Sequence, residues 1–197
     1  MEAGQNFNRP AKGSSIRVEP IKDLKDIKSI KKMLSDKPRD LCLFTLGINT
    51  NLRASDLLKI KAGRVRTLKP RDELTLNESK TGKHRRITLN KAVVSSIQGL
   101  LNSKEYNDDD PLFLGQRGTL TVPSVNRLVK QWCKAINLKG NYGSHSLRKS
   151  FGYHQRKTFG RGIPELMVVF NHSTQRQTLT YICVQPKEIK SVYANEI

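Results

Sequence analysis

The stretch that decides the fold runs from Gly143 to Tyr181 and reads GSHSLRKSFGYHQRKTFGRGIPELMVVFNHSTQRQTLTY. His145 and Arg148 are three residues apart, so on a helix their side chains project from one face. An apolar helical segment then leads to His172, and Tyr181 follows nine residues later. These two imidazoles, this guanidinium and this phenol, all in one short stretch, suit chemistry on a phosphate.

Each of these side chains supplies a different part of that chemistry. A guanidinium grips phosphate oxygens with a planar fork of donors. An imidazole holds or passes a proton near neutral pH. A phenol attacks an electrophile and becomes a covalent carrier. The stretch is therefore suited to chemistry on a phosphate, in which the phenol can act as a nucleophile.

The order of these residues resembles the catalytic domain of the tyrosine recombinases, the phage-integrase family. That resemblance implies two further elements upstream, and the sequence supplies both. LRASDLL, from Leu52 to Leu58, resembles the family's first-arginine helix, with Asp56 in the acidic position. ESKTGK, from Glu78 to Lys83, holds Lys80 in the place of the family's hairpin lysine. Asn171 departs from the pattern, because a glycine is usual before the histidine.

The resemblance extends from about Ile21 to Tyr181 and implies the fold and the site. The implied fold class is α+β, mostly α-helical with a small antiparallel β-sheet. The implied catalytic residues are Arg53, Lys80, His145, Arg148, His172 and Tyr181, the nucleophile, with Asp56 in a supporting, orienting role. No cofactor and no metal ion is implied.

The resemblance also implies site-specific DNA recombination or integration through a 3′-phosphotyrosine intermediate. Two alternatives remain open at this level. A type IB topoisomerase-like enzyme uses a similar set of groups, and a basic DNA-binding protein without catalysis would share the charge. In the recombinase the partner is double-stranded DNA, with a monomer in solution and a homotetramer on synapsed DNA.

Several of the singled-out residues also have a purely structural interpretation. Arg53 could form a buried ion pair with Asp56. Lys80 could be a solvated residue of an edge strand, and its basic neighbours Lys83, Arg85 and Arg86 compete for the role. Tyr193 is the rival of Tyr181 as nucleophile.

Charge points to a polyanionic partner. The 197 residues include 36 Lys and Arg against 17 Asp and Glu, which gives a formal net charge of +19. Such an excess favours nucleic acid over a membrane. No apolar run is long enough to span a bilayer and no signal peptide opens the chain. We therefore expect a cytoplasmic, nucleoid-associated protein of prokaryotic or viral origin.

Cysteine and histidine spacing argues against a disulfide framework or a metal site. Cys42, Cys133 and Cys183 are an odd, scattered set without a Cys-x-x-Cys motif. The four histidines show no metal-ligand spacing. A two-metal nuclease would need several convergent carboxylates, and the sequence has no such cluster.

Domain organisation follows from composition and the resemblance. Residues 1–19 are rich in Gly, Ser and basic residues and predict a flexible arm, either a disordered start or a DNA-contacting segment. Residues 20–181 form the catalytic domain, and the chain leaves no room for a separate N-terminal DNA clamp. Residues 182–197 are a tail that packs on a neighbouring protomer or folds back on its own.

Apolar periodicity predicts the elements. The predicted helices cover 20–35, 40–49, a segment starting after 50–51, 90–101, 124–136 with Ser124 as its cap, a segment from 145, 163–170 and 178–183. A short strand is predicted over 60–66, and two alternating strands flank a turn at 77–83. Trp132 is assigned to the core.

Overall fold

The computed structural model describes residues 18–116 and 118–182. Eight α-helices follow one another in these ranges: α1 Leu24–Met33, α2 Pro38–Asn49, α3 Ala54–Leu57, α4 Lys91–Leu101, α5 Val122–Ala135, α6 Ser144–Lys157, α7 Ile163–Phe170 and α8 Gln175–Tyr181. Four strands form two antiparallel pairs: β1 Glu73–Asn77 with β2 His84–Thr88, and β3 Leu114–Gly115 with β4 Gly118–Thr119. The predicted fold class is confirmed.

Local chemistry sets where the helices begin. The Asp23 side chain accepts a hydrogen bond from the Lys25 N–H at 2.7 Å and so caps α1. Asn90 caps α4 in the same way through the Val93 N–H. The prediction of Ser124 as the cap of α5 is wrong, because Thr121 takes that position and accepts from the Ser124 N–H. Proline is well accommodated in the first turn of a helix, so Pro123 lies inside α5. The helix begins at Val122, two residues before the predicted start.

The main core is built around α2. This helix is buried over most of its circumference, as its nearly continuous apolar sequence predicts, and it packs against α4 and α6. Gly47 has no Cβ, which lets Leu147 of α6 lie directly against the α2 backbone. Trp132 meets the Phe44 ring edge-on at 5.8 Å between centroids and is buried. Trp132 is therefore a core residue, as predicted.

The β1–β2 hairpin pairs Glu73 with Thr88 at one end and Asn77 with His84 at the other. Its turn is closed by the Glu78 N–H donating to the Lys83 carbonyl, and Gly82 has the positive φ that the reversal requires. The predicted strand over 60–66 is wrong. Only a single bridge from Lys61 to Pro111 forms there, followed by a 3₁₀ turn over Ala62–Arg64.

A second, smaller apolar cluster joins α7 and α8 to α6. Leu166, Phe170 and Ile182 form its buried centre. A Cβ at Gly152 would lie 2.5 Å from the Phe170 ring, so only glycine allows α6 to approach this ring so closely. The Phe170 ring is thereby held on α6, next to the residues singled out by the sequence.

The start of the described chain is attached to α6. The Ile21 N–H donates to Ser150 Oγ at 2.7 Å, and a His154 ring nitrogen lies 2.9 Å from the Ile21 carbonyl. The Glu19 N–H donates to the Asn141 carbonyl. Residues 1–17 of the predicted arm and 183–197 of the predicted tail lie outside the described residues, as does Arg117. In the part that is described, no helix is both long and apolar enough to cross a membrane.

Candidate active site for DNA strand cleavage

Arg148 lies at the centre of the site and is almost fully buried, with 2% of its surface exposed. Its guanidinium donates to the Asn51 carbonyl at 2.8 Å and to the Phe170 carbonyl at 3.1 Å. These two acceptors follow α2 and end α7, so the arginine joins both to α6. Burial lowers the pKa of Arg148, an effect that Tyr181 opposes and the charge of Arg53 reinforces. The side chain still carries its charge, because guanidinium does not deprotonate in proteins.

Tyr181 lies beside Arg148 in the same cluster of rings. Its ring is 5.8 Å from the guanidinium carbon of Arg148, 5.4 Å from the His172 ring and 5.0 Å from Phe170. The Lys149 ammonium is 5.5 Å from the Tyr181 ring centroid. The two residues separated by nine positions in the sequence are therefore neighbours in space, with two cations around the phenol.

His172 is oriented by α8, the helix that bears Tyr181. Its Nδ1 lies 3.0 Å from the hydroxyl oxygen of Thr178, a fully buried residue, and its ring stacks on Phe170. Burial lowers the pKa of His172, and the charges of Arg148 and Arg53 lower it further. The imidazole is therefore neutral at neutral pH. When the Thr178 hydroxyl donates to Nδ1, the ring proton stays on Nε2, where it is available to a phosphate oxygen.

We expect Thr178→Val to slow DNA cleavage by about 3- to 10-fold, the effect of losing one orienting hydrogen bond. Valine has the same shape as threonine, so packing in the small cluster should persist. The measurement is the single-turnover rate of covalent adduct formation. Thr178→Ser, which keeps the hydroxyl, should cleave near the wild-type rate, and equal rates for all three proteins would contradict the assigned orientation.

Arg53 immediately precedes α3, and its charge acts on Arg148. It pairs with Glu78 at 2.8 Å, whereas its distance to Asp56 is 3.9 Å. The Arg53–Asp56 ion pair is therefore present, and Glu78 of the hairpin adds a second, closer acidic partner for Arg53. One-fifth of the Arg53 side chain remains exposed.

Asp56 and Lys80 are connected through the hairpin turn. Asp56 is buried, and its Oδ1 accepts a hydrogen bond from the Ser79 N–H at 2.8 Å. Lys80 follows immediately in the turn and is exposed. Its charge acts on His145, whose pKa it helps to lower. Asp56 therefore contacts the segment that carries Lys80, and its orienting role stays a prediction.

His145 is exposed in the first turn of α6, one helical turn before Arg148. Partial desolvation of the ring lowers the pKa of His145, and the charges of Arg148, Arg53, Lys149 and Lys80 lower it further. A neutral imidazole accepts a proton, so His145 has the protonation state of a general base. The charges of Arg148 and Arg53 thus act on both His145 and His172, and the charge of Lys80 acts on His145.

The remaining described tyrosines have other surroundings. Tyr106 and Tyr142 are buried, and their hydroxyls donate to the carbonyls of Leu112 and Lys139. Tyr153 meets His154 edge-on. Tyr193, the rival nucleophile, lies outside the described residues.

Within residues 18–116 and 118–182, no three His, Cys, Asp or Glu side chains come together in a way that could hold a metal ion. Cys42 and Cys133 are buried free thiols, and burial raises the pKa of each to about 12. Cys183 is not among the described residues. A cavity of about 410 Å³ borders the hairpin, and Asp56 is the only predicted site residue in its lining.

Comparison with known proteins supplies the context for this geometry. The model of the phage integrase family matches residues 20–188. The chain belongs to the phage integrase family. The probable integrase/recombinase YoeC of Bacillus subtilis (strain 168) is 32% identical to this integrase-family chain over 180 residues, 89% of the chain and 95% of the relative. The tyrosine recombinase XerC of Caldanaerobacter subterraneus subsp. tengcongensis is 30% identical over 159 residues, 78% of the chain and 44% of XerC.

Solved structures share the fold of this integrase-family chain. The XerA recombinase superposes with a TM-score of 0.73 at 16% identity, covering 92% of the chain and 65% of XerA. The XerH recombinase in a post-cleavage complex with its difH substrate superposes with a TM-score of 0.70 at 17% identity. The match covers 95% of this chain and 56% of the XerH chain. The chain thus spans little more than half to two-thirds of these recombinases. The predicted family and recombinase class are confirmed, and neither the topoisomerase nor the non-catalytic alternative is favoured.

The integrase-family site also contains residues that sequence reasoning did not assign. Glu78 is buried and pairs with both Arg53 and Arg85. The Asn171 side chain accepts from the Lys83 ammonium at 3.0 Å, a contact that the usual glycine could not make. Asn171 has the left-handed conformation that glycine favours. The sequence did offer one signal for Glu78, namely an acidic residue two positions before Lys80 in the turn. The partners of Glu78 could not be predicted, because only the fold brings Arg53 and Arg85 next to it.

Proposed function

We propose that this chain catalyses site-specific DNA recombination or integration by cleaving and rejoining strands through a 3′-phosphotyrosine at Tyr181. The observation that supports this best is the meeting of Tyr181, His172 and Arg148 around the Phe170 ring. In this mechanism the Tyr181 oxygen attacks phosphorus, and its proton passes to His145. A bond from the phenol oxygen to phosphorus forms as the bond to the 5′ oxygen breaks.

Charge on the non-bridging oxygens grows as the phenol attacks. Arg53 and Arg148 donate to those oxygens, and His172 adds a third donor through Nε2. Fixed donors of this kind each contribute on the order of 10²- to 10³-fold to the rate. The guanidinium groups supply the positive charge at the transition state.

Lys80 donates a proton to the departing 5′ oxygen as a general acid. The product is a 3′-phosphotyrosine and a free 5′-hydroxyl, so the energy of the broken bond is retained and ATP is not required. Attack by a 5′-hydroxyl from another duplex reverses the chemistry and yields recombinant strands. Such exchange requires a homotetramer on synapsed DNA, assembled from protein that is monomeric in solution and acts in the cytoplasm at the nucleoid.

Covalent trapping on randomised DNA tests this function and selects the target sequence in the same experiment. The probe is a library of nicked duplexes with a randomised core, in which the cleaved end diffuses away and leaves the protein attached. Denaturing electrophoresis recovers the adduct, and sequencing of the attached strand reveals the preferred site. A wild-type protein that yields no adduct from the whole library would contradict the proposal.

A plasmid carrying the selected site separates recombination from relaxation. With two copies of the site we expect exchange products, whereas a topoisomerase would only remove supercoils. Relaxation at low enzyme excess without any exchange product would favour the topoisomerase-like alternative.

Binding to duplex DNA should depend strongly on salt. If six phosphates are neutralised by Lys and Arg, log K should fall with log salt at a slope of about −5 because bound counterions are released. A fluorescence titration from low to moderate salt measures the slope. A slope near zero would contradict nucleic acid as the partner.

We expect modest sequence selectivity from this domain. Contacts to phosphate fix the position of the protein on the duplex but carry no information about the base sequence.

A further inference from the structure

Glu78 is a buried carboxylate that the proposed mechanism does not use. Only 1% of its surface is exposed, and it precedes Lys80 by two residues. An ionised carboxylate removed from water is strongly unfavourable unless it is paired and hydrogen-bonded. Its partners therefore indicate what the residue does.

Both oxygens of Glu78 are engaged. Oε2 pairs with Arg53 at 2.8 Å and accepts from the Thr81 hydroxyl at 2.8 Å, while Oε1 pairs with Arg85 at 2.8 Å. Burial raises the pKa of Glu78, but the hydrogen bond from Thr81 and the charges of the ion-paired Arg53 and Arg85 outweigh it. The net pKa lies below its ordinary value, so the carboxylate is ionised at neutral pH.

Contacts cross between α3 and the hairpin turn in both directions. Glu78, on the turn, holds Arg53 at the start of α3. Asp56, on α3, accepts from the Ser79 N–H of the turn. Two carboxylates pointing in opposite directions fix the position of the turn more completely than one contact would. Lys80 follows Ser79, so it is carried by the segment that is fixed.

We propose that Glu78 is a positioning residue that couples the grip of Arg53 on the scissile phosphate to proton delivery by Lys80. This inference rests on the proposed function. Glu78 fixes Arg53 through one oxygen and, through Thr81 and its own backbone, the turn that presents Lys80. Loss of its charge releases both groups together.

The test compares two leaving atoms on the selected site. In one substrate the scissile phosphate has its normal 5′ oxygen, and in the other a sulfur bridges at that position. With sulfur, the Tyr181 oxygen bonds to phosphorus, the P–S bond breaks, and a thiolate departs with the electron pair. Because a thiol is far more acidic than an alcohol, the thiolate needs no proton from Lys80.

We expect Glu78→Gln to cleave the oxygen substrate about 10²-fold more slowly, the scale of misplaced reacting groups. The sulfur substrate should recover part of this loss. Lys80→Ala should recover almost fully with sulfur, and Arg53→Ala should not recover. The intermediate result for Glu78→Gln is the signature of coupling, which a merely structural residue would not produce.

Three further variants control for folding and charge. Glu73→Gln makes the same substitution at an exposed position of β1 and should cleave normally. Glu78→Asp keeps the charge and should recover part of the rate. If Glu78→Gln fails to fold in a thermal melt, the double variant Glu78→Gln/Arg85→Gln removes the charges of a buried pair and should show the same partial rescue by sulfur.

Wild-type cleavage keeps this inference separate from the proposed function. If the wild type forms the adduct and a folded Glu78→Gln cleaves the oxygen substrate equally fast, the coupling is overturned while the recombinase proposal stands. A slow variant with no recovery on sulfur also overturns it, because the loss would then involve Arg53 alone. Failure of the wild type on both substrates would contradict the proposed function itself.

Discussion

Replacing Tyr181 by phenylalanine is expected to abolish the covalent protein–DNA adduct while leaving duplex affinity nearly unchanged. Phenylalanine keeps the ring that packs against Phe170 and His172, so the small cluster should survive. Only the attacking oxygen is lost. One neutral hydrogen bond contributes about 1 kcal/mol, too little to change DNA binding strongly. The measurement is adduct formation on the nicked duplex, with a gel shift for affinity.

Tyr193→Phe is the matched control, because Tyr193 is the rival nucleophile by sequence. It should form the adduct normally. If instead Tyr181→Phe forms the adduct and Tyr193→Phe does not, the nucleophile has been assigned to the wrong residue. If neither variant forms it, the pair would indicate coupling through the tail.

Arg148→Lys should reduce cleavage by on the order of 10²- to 10³-fold, because a lysine keeps the charge but not the fork of donors. Arg148→Ala should lose cleavage altogether and weaken the grip on phosphate. The Arg148→Ala variant should also be less stable, because the buried carbonyls of Asn51 and Phe170 lose their hydrogen-bond donor. We expect that loss to lower the free energy of unfolding by about 2–4 kcal/mol. Single-turnover cleavage and chemical denaturation measure the two effects.

Arg161→Ala is the control for Arg148, because Arg161 is an exposed arginine whose nearest acidic partner is Glu165 at 3.7 Å. It should cleave normally and unfold at the same denaturant concentration. If Arg148→Lys cleaved at the wild-type rate, Arg148 would be a structural cross-link between helices rather than a donor to the phosphate.

The departure from the predicted strand over residues 60–66 has its cause in the tertiary structure. The segment 60–66 has buried apolar residues at Ile60, Ala62 and Val65, of which only Ile60 and Ala62 follow the alternation of a strand. The backbone nevertheless forms a 3₁₀ turn, because its hydrogen bonds go to the loop around Asp108 and Asp110 instead of a neighbouring strand. An apolar pattern in the sequence predicts that a segment is buried. It does not predict which other segment of the chain will form backbone hydrogen bonds with it.

The sequence by itself determined the helices, the β1–β2 hairpin and the family. Helical periodicity and capping are local, and the order His145, Arg148, His172, Tyr181 is written directly in the chain. Only the tertiary structure decided that Arg148 donates to Asn51, that Arg53 takes Glu78 rather than Asp56 as its near partner, and that Thr178 orients His172. Such contacts join residues whose separation in sequence carries no signal about their distance. A buried charge is stable only when a partner of opposite charge or a hydrogen-bonding group lies within reach. Which group lies within reach is decided by how the helices pack, so it cannot be read from the sequence.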